Sequence, residues 1–121
     1  VTPERALVAA RAAASKTLEA TVVLDVRELL GITDVFVVTS GTNPRQIRTI
    51  AEEVEKRVRE AGGGSPARVE GRDDLRWVLL DYGDFVVHVF SQEAREHYAL
   101  ERLWADAPRL EWETSSEGLR A

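Results

Sequence analysis

Few residues in this chain could carry bond chemistry, and most are badly spaced for it. Cysteine is absent, which excludes a thiol nucleophile, a disulfide scaffold and thiolate-held zinc or iron–sulfur. No serine sits in a G-x-S-x-G elbow. Ser40 stands where a strand-like run turns through Gly41 toward a helix, and turn chemistry explains it. No Walker A or G-x-G-x-x-G pattern occurs. Gly62-Gly63-Gly64 follows a helical stretch and precedes a strand-like one, which is the wrong context for a phosphate cradle. The 40–43 turn leads into a helix N-terminus, which attracts anions only weakly and without specificity.

Metal chemistry is no better served. Asp73 and Asp74 are adjacent and would face opposite ways on a strand, and no D-x-D or D-x-E pair occurs. Glu53 and Glu55 point apart on a helix, and Asp81 and Asp84 flank a turn, where carboxylates make local hydrogen bonds. His88 and His97 would need a third ligand and convergent geometry to hold a metal. His88 lies within the apolar run FVVHVF, so a hydrogen-bonded, half-buried histidine is expected there. The sequence thus offers no catalytic, cofactor-binding or metal residues.

The elements that position these residues are more legible. Thr2-Pro3-Glu4 reads as a helix start, with Thr2 as cap and Pro3 in the first helical position. Leu7, Ala10, Ala14 and Leu18 would share its face. Residues 21–26 read as a strand, 27–31 as one helical turn stopped by Gly31, and 34–40 as a strand apolar on both faces. Asn43-Pro44-Arg45-Gln46 predicts a capped helix start, with Gln46 reaching back to Asn43. The helix that follows carries the apolar stripe Ile47, Ile50, Ala51, Val54, Val58 and Ala61. Outside it stand the i,i+4 pairs Glu52–Lys56, Glu53–Arg57 and Glu55–Arg59. Residues 66–70 read as an edge strand. Residues 76–81 and 85–90 read as a hairpin turning at Tyr82-Gly83. Helical turns then run from Gln92 to Tyr98 and through Leu100, Leu103 and Trp104, with Pro108 beyond.

This order predicts an α/β (α+β) fold, a single mixed β-sheet of about five strands with flanking helices. With 121 residues one domain is expected, spanning 1–112, with 113–121 as a polar, fraying tail. The opening segment is rich in alanine and arginine but contains Glu4 and Glu19 and no apolar core for a secretory signal. It reads as part of the fold of a cytoplasmic protein.

Charge and aromatic residues point to a partner. The net charge of −5 repels phosphate backbones and favours a basic protein partner. Seven of the eight aromatic residues lie at or after position 77. Alternation places Trp77, Leu79 and Asp81 on one strand face and Val78 and Leu80 on the other. A hairpin apolar on both faces leaves one for another chain to cover, and aromatic residues anchor such contacts.

The stretch DVFVVTSGTNPRQ at 34–46 resembles the strand–turn–helix signature of the bacterial ribosomal silencing factor (Iojap) family. The block WVLLDYGDFVVHVFSQEAREHYALERLWADAP at 77–108 resembles its longest motif. Arg45, Gln46, Glu70-Gly71 and the 98–104 segment fall in the matching places, and the likeness runs from the first helix to Pro108. It implies a nucleotidyltransferase-like fold without catalytic acids. It also implies a translational repressor that binds large-subunit ribosomal protein fourteen and sterically blocks joining of the small subunit. Free members of the family are often homodimers. The ribosomal-protein contact is expected at Glu70, Trp77, Leu79, Asp81, Tyr82, His88, Arg95 and Tyr98, with no cofactor. The alternative is a nucleotidyltransferase-like enzyme using magnesium and a nucleoside triphosphate, with Ser40-Gly41, Asp25 and Asp34. A third reading, direct ribosomal RNA binding through Arg45 and Arg48, runs against the net charge.

Overall fold

The computed structural model describes residues 3–113. Thr2 and residues 114–121, which hold most of the expected tail, lie outside them. Helix α1 covers Glu4–Ala14, and Pro3 precedes it as the capping residue rather than occupying the first helical position. Its buried face is made of Ala6, Ala9, Ala10, Ala12 and Ala13. The expected continuation to Leu18 fails. The Ser15 hydroxyl donates back to the Ala12 carbonyl at 2.7 Å, competing with further helix, and Leu18 is fully exposed.

The chain continues through β1 (Val22–Asp25), α2 (Arg27–Leu30), β2 (Val35–Gly41), α3 (Pro44–Glu60), β3 (Arg68–Glu70), β4 (Trp77–Asp81), β5 (Phe85–Ser91), α4 (Gln92–Tyr98) and α5 (Leu100–Leu103). The five strands form one sheet in the order β1-β2-β5-β4-β3. β2 and β5 run parallel and the other neighbours antiparallel. Helix α3 and the two strands after it provide the long return that a parallel pair needs. The edge of β1 is covered, because Asp25 N–H donates to the Pro108 carbonyl and Leu110 N–H to the Val23 carbonyl, both at 2.8 Å. Among the described residues, β3 is the open edge.

Helix α3 begins as its sequence dictates. The Asn43 side chain accepts from Gln46 N–H at 2.8 Å. Gln46 itself reaches past Asn43, accepting from Thr42 N–H at 2.6 Å and donating to the Lys16 carbonyl at 3.0 Å. Ile47, Ile50, Ala51, Val54 and Val58 are buried, whereas Ala61 ends the helix exposed. Of the expected pairs, Glu53–Arg57 closes at 3.7 Å, and Glu55 turns instead to Arg72 on the β3–β4 loop.

The sheet divides the interior in two. Helices α1 and α3 cover one face, where Val23, Val37, Val78, Leu80, Phe85 and Val87 pack. The other face carries Leu24, Phe36, Val38, Val86 and Phe90 beneath Ala94, Leu100 and Ala107. This second cover is short, and it leaves the outer side of β4 only half-buried.

Candidate interaction surface

Alternation along β4 decides what it presents. Val78 and Leu80 point into the helix-covered core and are fully buried, while Trp77, Leu79 and Asp81 stay half-buried on the other side. Antiparallel register sets His88 of β5 beside Leu79 and Phe90 beside Trp77. The result is an aromatic group assembled from three elements. The Trp77 ring centroid lies 5.0 Å from Phe90, 5.8 Å from His88 and 4.5 Å from Tyr98. Tyr98 arrives from the end of α4, where Ala99 adopts the left-handed conformation at φ 47°. That bend sends Leu100 into the core and leaves Tyr98 43% exposed. Large, rigid side chains at a half-buried surface are what binding anchors require.

Trp77 is held in one orientation. Its indole Nε1–H donates to His88 Nδ1 at 3.0 Å. His88 therefore accepts at Nδ1 and carries its proton on Nε2. The ring is 4% exposed, and burial pushes its pKa down to about 4. The imidazole is neutral at physiological pH and acts as a fixed acceptor behind Trp77.

Leu79 is the ridge between two grooves. One is lined by Glu70, Gly71, Asp74, Arg76, Trp77, Leu79 and Tyr98. The other is lined by Leu30, Ile32, Thr33, Phe36, Arg68, Leu79, Asp81, Gly83, Val86 and His88. Asp81 accepts from Gly83 N–H at 2.8 Å and meets Arg68 at 3.5 Å. Glu70 also meets Arg68 at 3.5 Å. The rim thus carries carboxylates spanned by one exposed guanidinium.

Six of the eight expected contact residues, Glu70, Trp77, Leu79, Asp81, His88 and Tyr98, fall on these two grooves. Two do not. Tyr82 faces the opposite side of the sheet, buried and stacked on Phe85 at 4.7 Å. Burial pushes its hydroxyl up to about 12. The hairpin tip is shifted one residue from the expected Tyr82-Gly83, since Tyr82 N–H still pairs with the Phe85 carbonyl and leaves Gly83-Asp84 to turn. Arg95 is turned inward. Its Nη1 donates to Ser40 Oγ at 2.8 Å and the Ala20 carbonyl at 2.7 Å, while Nε and Nη2 hold Glu101. This pairing holds the Glu101 carboxyl below its usual range. Arg95 clamps α4 and α5 to the ends of β1 and β2.

The sequence matches the family model described as "Ribosomal silencing factor during starvation" over residues 1–120. The chain belongs to the ribosomal silencing factor family. It is 41% identical over 105 residues to the ribosomal silencing factor of Halalkalibacterium halodurans, covering 87% of this chain and 89% of that one. It is 40% identical over 101 residues to that of Bacillus subtilis, covering 84% and 85%. A crystal structure of a Chromobacterium violaceum protein superposes with a TM-score of 0.79 at 31% identity, covering 84% of each chain. For this silencing-factor domain the mixed five-stranded sheet with flanking helices is thus the observed fold and that of a solved neighbour.

Of the residues named for a nucleotidyl-transfer site, Asp25 and Asp34 lie near each other where β1 meets β2, with Val26 N–H on the Asp34 carbonyl at 2.9 Å, but Ser40 is far from both. Asp25 pairs with Val35 across β1 and β2, and Ser40 lies five residues further along β2, about 17 Å away at ordinary strand rise. Asp25 is held by Arg27 at 2.6 Å, which lowers its pKa. The Ser40 hydroxyl is buried and engaged by Arg95 and Glu19. Among the described residues, no group of three or more His, Asp or Glu side chains is placed to hold a metal. His97 is exposed on α4 with its ring against Tyr98.

Sequence reasoning missed the far wall of the second groove. Ile32, Thr33 and Phe36 come from the α2–β2 turn and the start of β2. Ile32, 83% exposed, was the available signal, an isolated β-branched residue in a glycine-led turn. Gly71 stood out in the sequence only for its place in the family likeness, without a structural reason. A Cβ there would lie 1.9 Å from the Trp77 carbonyl oxygen, so only glycine lets the loop pass against the start of β4.

Proposed function

We propose that this protein represses translation without catalysing a reaction, by docking on large-subunit ribosomal protein fourteen and blocking access of the small subunit. Family membership supports the ribosomal target. The observation that carries the surface is the row Trp77, Leu79 and Tyr98, rimmed by Glu70, Asp74 and Asp81 with Arg68 and Arg76 among them. The apolar row offers area to bury, and three carboxylates against two guanidiniums leave the rim net acidic, which favours a basic partner. A net charge of −5 steers the same encounter at long range and opposes a contact dominated by RNA phosphates. Inhibition is steric, so the fold needs only a rigid docking face and bulk behind it. The free protein covers this apolar face by forming a homodimer, and it acts in the cytoplasm, where subunits join.

Co-sedimentation with isolated ribosomal subunits tests this reading. The protein should travel with the large subunit alone and reduce the joined peak when small subunits are added. A folded protein that binds neither subunit, or that binds without affecting joining, overturns it.

A further inference from the structure

The groove between the α2–β2 turn and β4, about 390 Å³, is lined largely by apolar side chains, among them Ile32, Phe36, Leu79 and Val86, with Arg68 and Asp81 also on it. Two of its polar lining residues are more than nine-tenths buried, Thr33 at 8% and His88 at 4% exposure. Thr33 Oγ1 and His88 Nε2 have no hydrogen-bond partner among the described residues. A buried polar atom left unpaired costs free energy that its removal would restore. His88 already gives Nδ1 to Trp77, so the spare atom is a proton-bearing Nε2, a donor. Thr33 supplies a hydroxyl that donates as well.

We infer that this groove receives an apolar side chain of the ribosomal-protein partner, and that Thr33 and His88, set several strand positions apart by the β2–β5 register, each donate to a separate backbone carbonyl oxygen of the segment that carries it. The inference rests on the docking reading above and deepens it. The groove shares Leu79 with the Trp77–Tyr98 groove, so one partner segment crossing the ridge occupies both. Asp81, now shared with Arg68 at 3.5 Å, meets a basic side chain following the apolar one, and the net charge of −5 lets a basic partner displace the second acidic copy that covers this face in the free protein. Both atoms are shut off from solvent in the free chain, so the lining side chains part to admit the oxygens. A partner that pairs these atoms recovers a cost already present in the free fold. Thr33 and His88 are thus specificity determinants, selecting carbonyl oxygens at two places along a largely apolar contact.

The decisive variant is Thr33→Val, which keeps the shape and removes the hydroxyl. Because that hydroxyl has no partner in the free fold, Thr33→Val should melt at the wild-type temperature or higher. Its affinity for isolated large subunits should fall about tenfold, and Thr33→Ser should regain most of the loss. His88→Asn, which keeps an acceptor near the Nδ1 position and removes the Nε2 donor, should weaken binding in parallel. Wild-type binding to large subunits with undiminished binding by folded Thr33→Val sinks this inference and leaves the docking reading standing. Failure of the wild type to bind sinks the docking reading itself. A Thr33→Val protein that melts several degrees lower shows an internal partner for the hydroxyl and overturns the inference. So does a variant that loses self-association, measured by sedimentation velocity, while binding subunits normally.

Discussion

The Trp77 indole N–H donates to Nδ1 of His88 across the β4–β5 pair at 3.0 Å. The bond joins a half-buried surface residue to a buried one, and it settles two properties at once. It fixes the indole plane between Phe90 and Tyr98, so the binding face is rigid before any partner arrives, and a preorganised anchor loses little entropy on docking. It also fixes the imidazole tautomer, leaving the proton on the buried Nε2. Trp77→Ala should therefore weaken large-subunit binding by more than about 1 kcal/mol. Quantitative co-sedimentation checks this, with near-ultraviolet dichroism reporting the fold. Unchanged affinity in a folded variant removes Trp77 from the anchors.

Acid should expose the same pair. The His88 pKa lies at about 4 in the fold, against an ordinary value of 6.5. As pH falls, the unfolded chain takes up the proton first. The contribution of neutral His88 is complete above about pH 6.5, declines between there and about pH 4, and is gone below. A shift of this size corresponds to about 3 kcal/mol. Urea unfolding at pH 7.5, 5.5 and 4.5 should show the decline, and His88→Asn should flatten it in that window. Asp25 and Glu101, whose pKa values are lowered by Arg27 and Arg95, add losses that begin as pH falls through their ordinary values of 3.8 and 4.5, at the acid end of this window. An equal slope in wild type and variant would falsify the assignment to His88.

Gly71 sets the floor of the Trp77 groove through its backbone. Its φ is +86°, and an added Cβ would meet the Trp77 carbonyl at 1.9 Å. Left-handed backbone alone costs a non-glycine residue about 1–2 kcal/mol, and the clash with backbone must move β4 or the loop. Gly71→Ala should lose more than about 2 kcal/mol of stability, whereas Gly83→Ala should lose less, because open space surrounds that equally left-handed position. Thermal melts of the two variants give the comparison, and similar midpoints would count against the close approach at Gly71.

Much of this was legible in the sequence because local chemistry and global fold agree. Asn43-Pro44 caps α3, and the Ile47–Val58 stripe is buried as its period requires. The alternation of β4 placed Trp77, Leu79 and Asp81 correctly on one face. The failures have physical causes. Tyr82 continues that alternation by one residue, so it belongs to the opposite face, and reading it as turn hid this. Arg95 looked like a surface contact because helix position alone does not reveal a carbonyl waiting before β1 or a carboxylate brought back by the bend into the next helix. The second groove brings Thr33 and His88 into one lining from 55 positions apart, and no local pattern encodes that.

Arg95 supplies the sharpest separation of stability from binding. Its guanidinium bridges Ser40, Ala20 and Glu101, and the Arg95 and Glu101 side chains are 14% and 24% exposed. Removing one partner of a largely buried pair strands the other, at a cost of up to about 3–5 kcal/mol, and residual solvent access here brings that to about 2 kcal/mol. Arg95→Met keeps the aliphatic stem and should lower the urea midpoint accordingly. Glu101→Gln should cost less, because its amide oxygen still accepts from Arg95. Affinity for the large subunit, corrected for the folded fraction, should stay near wild type in both, since Arg95 lies off the two grooves. A variant that keeps its unfolding midpoint but loses binding would return Arg95 to the contact surface.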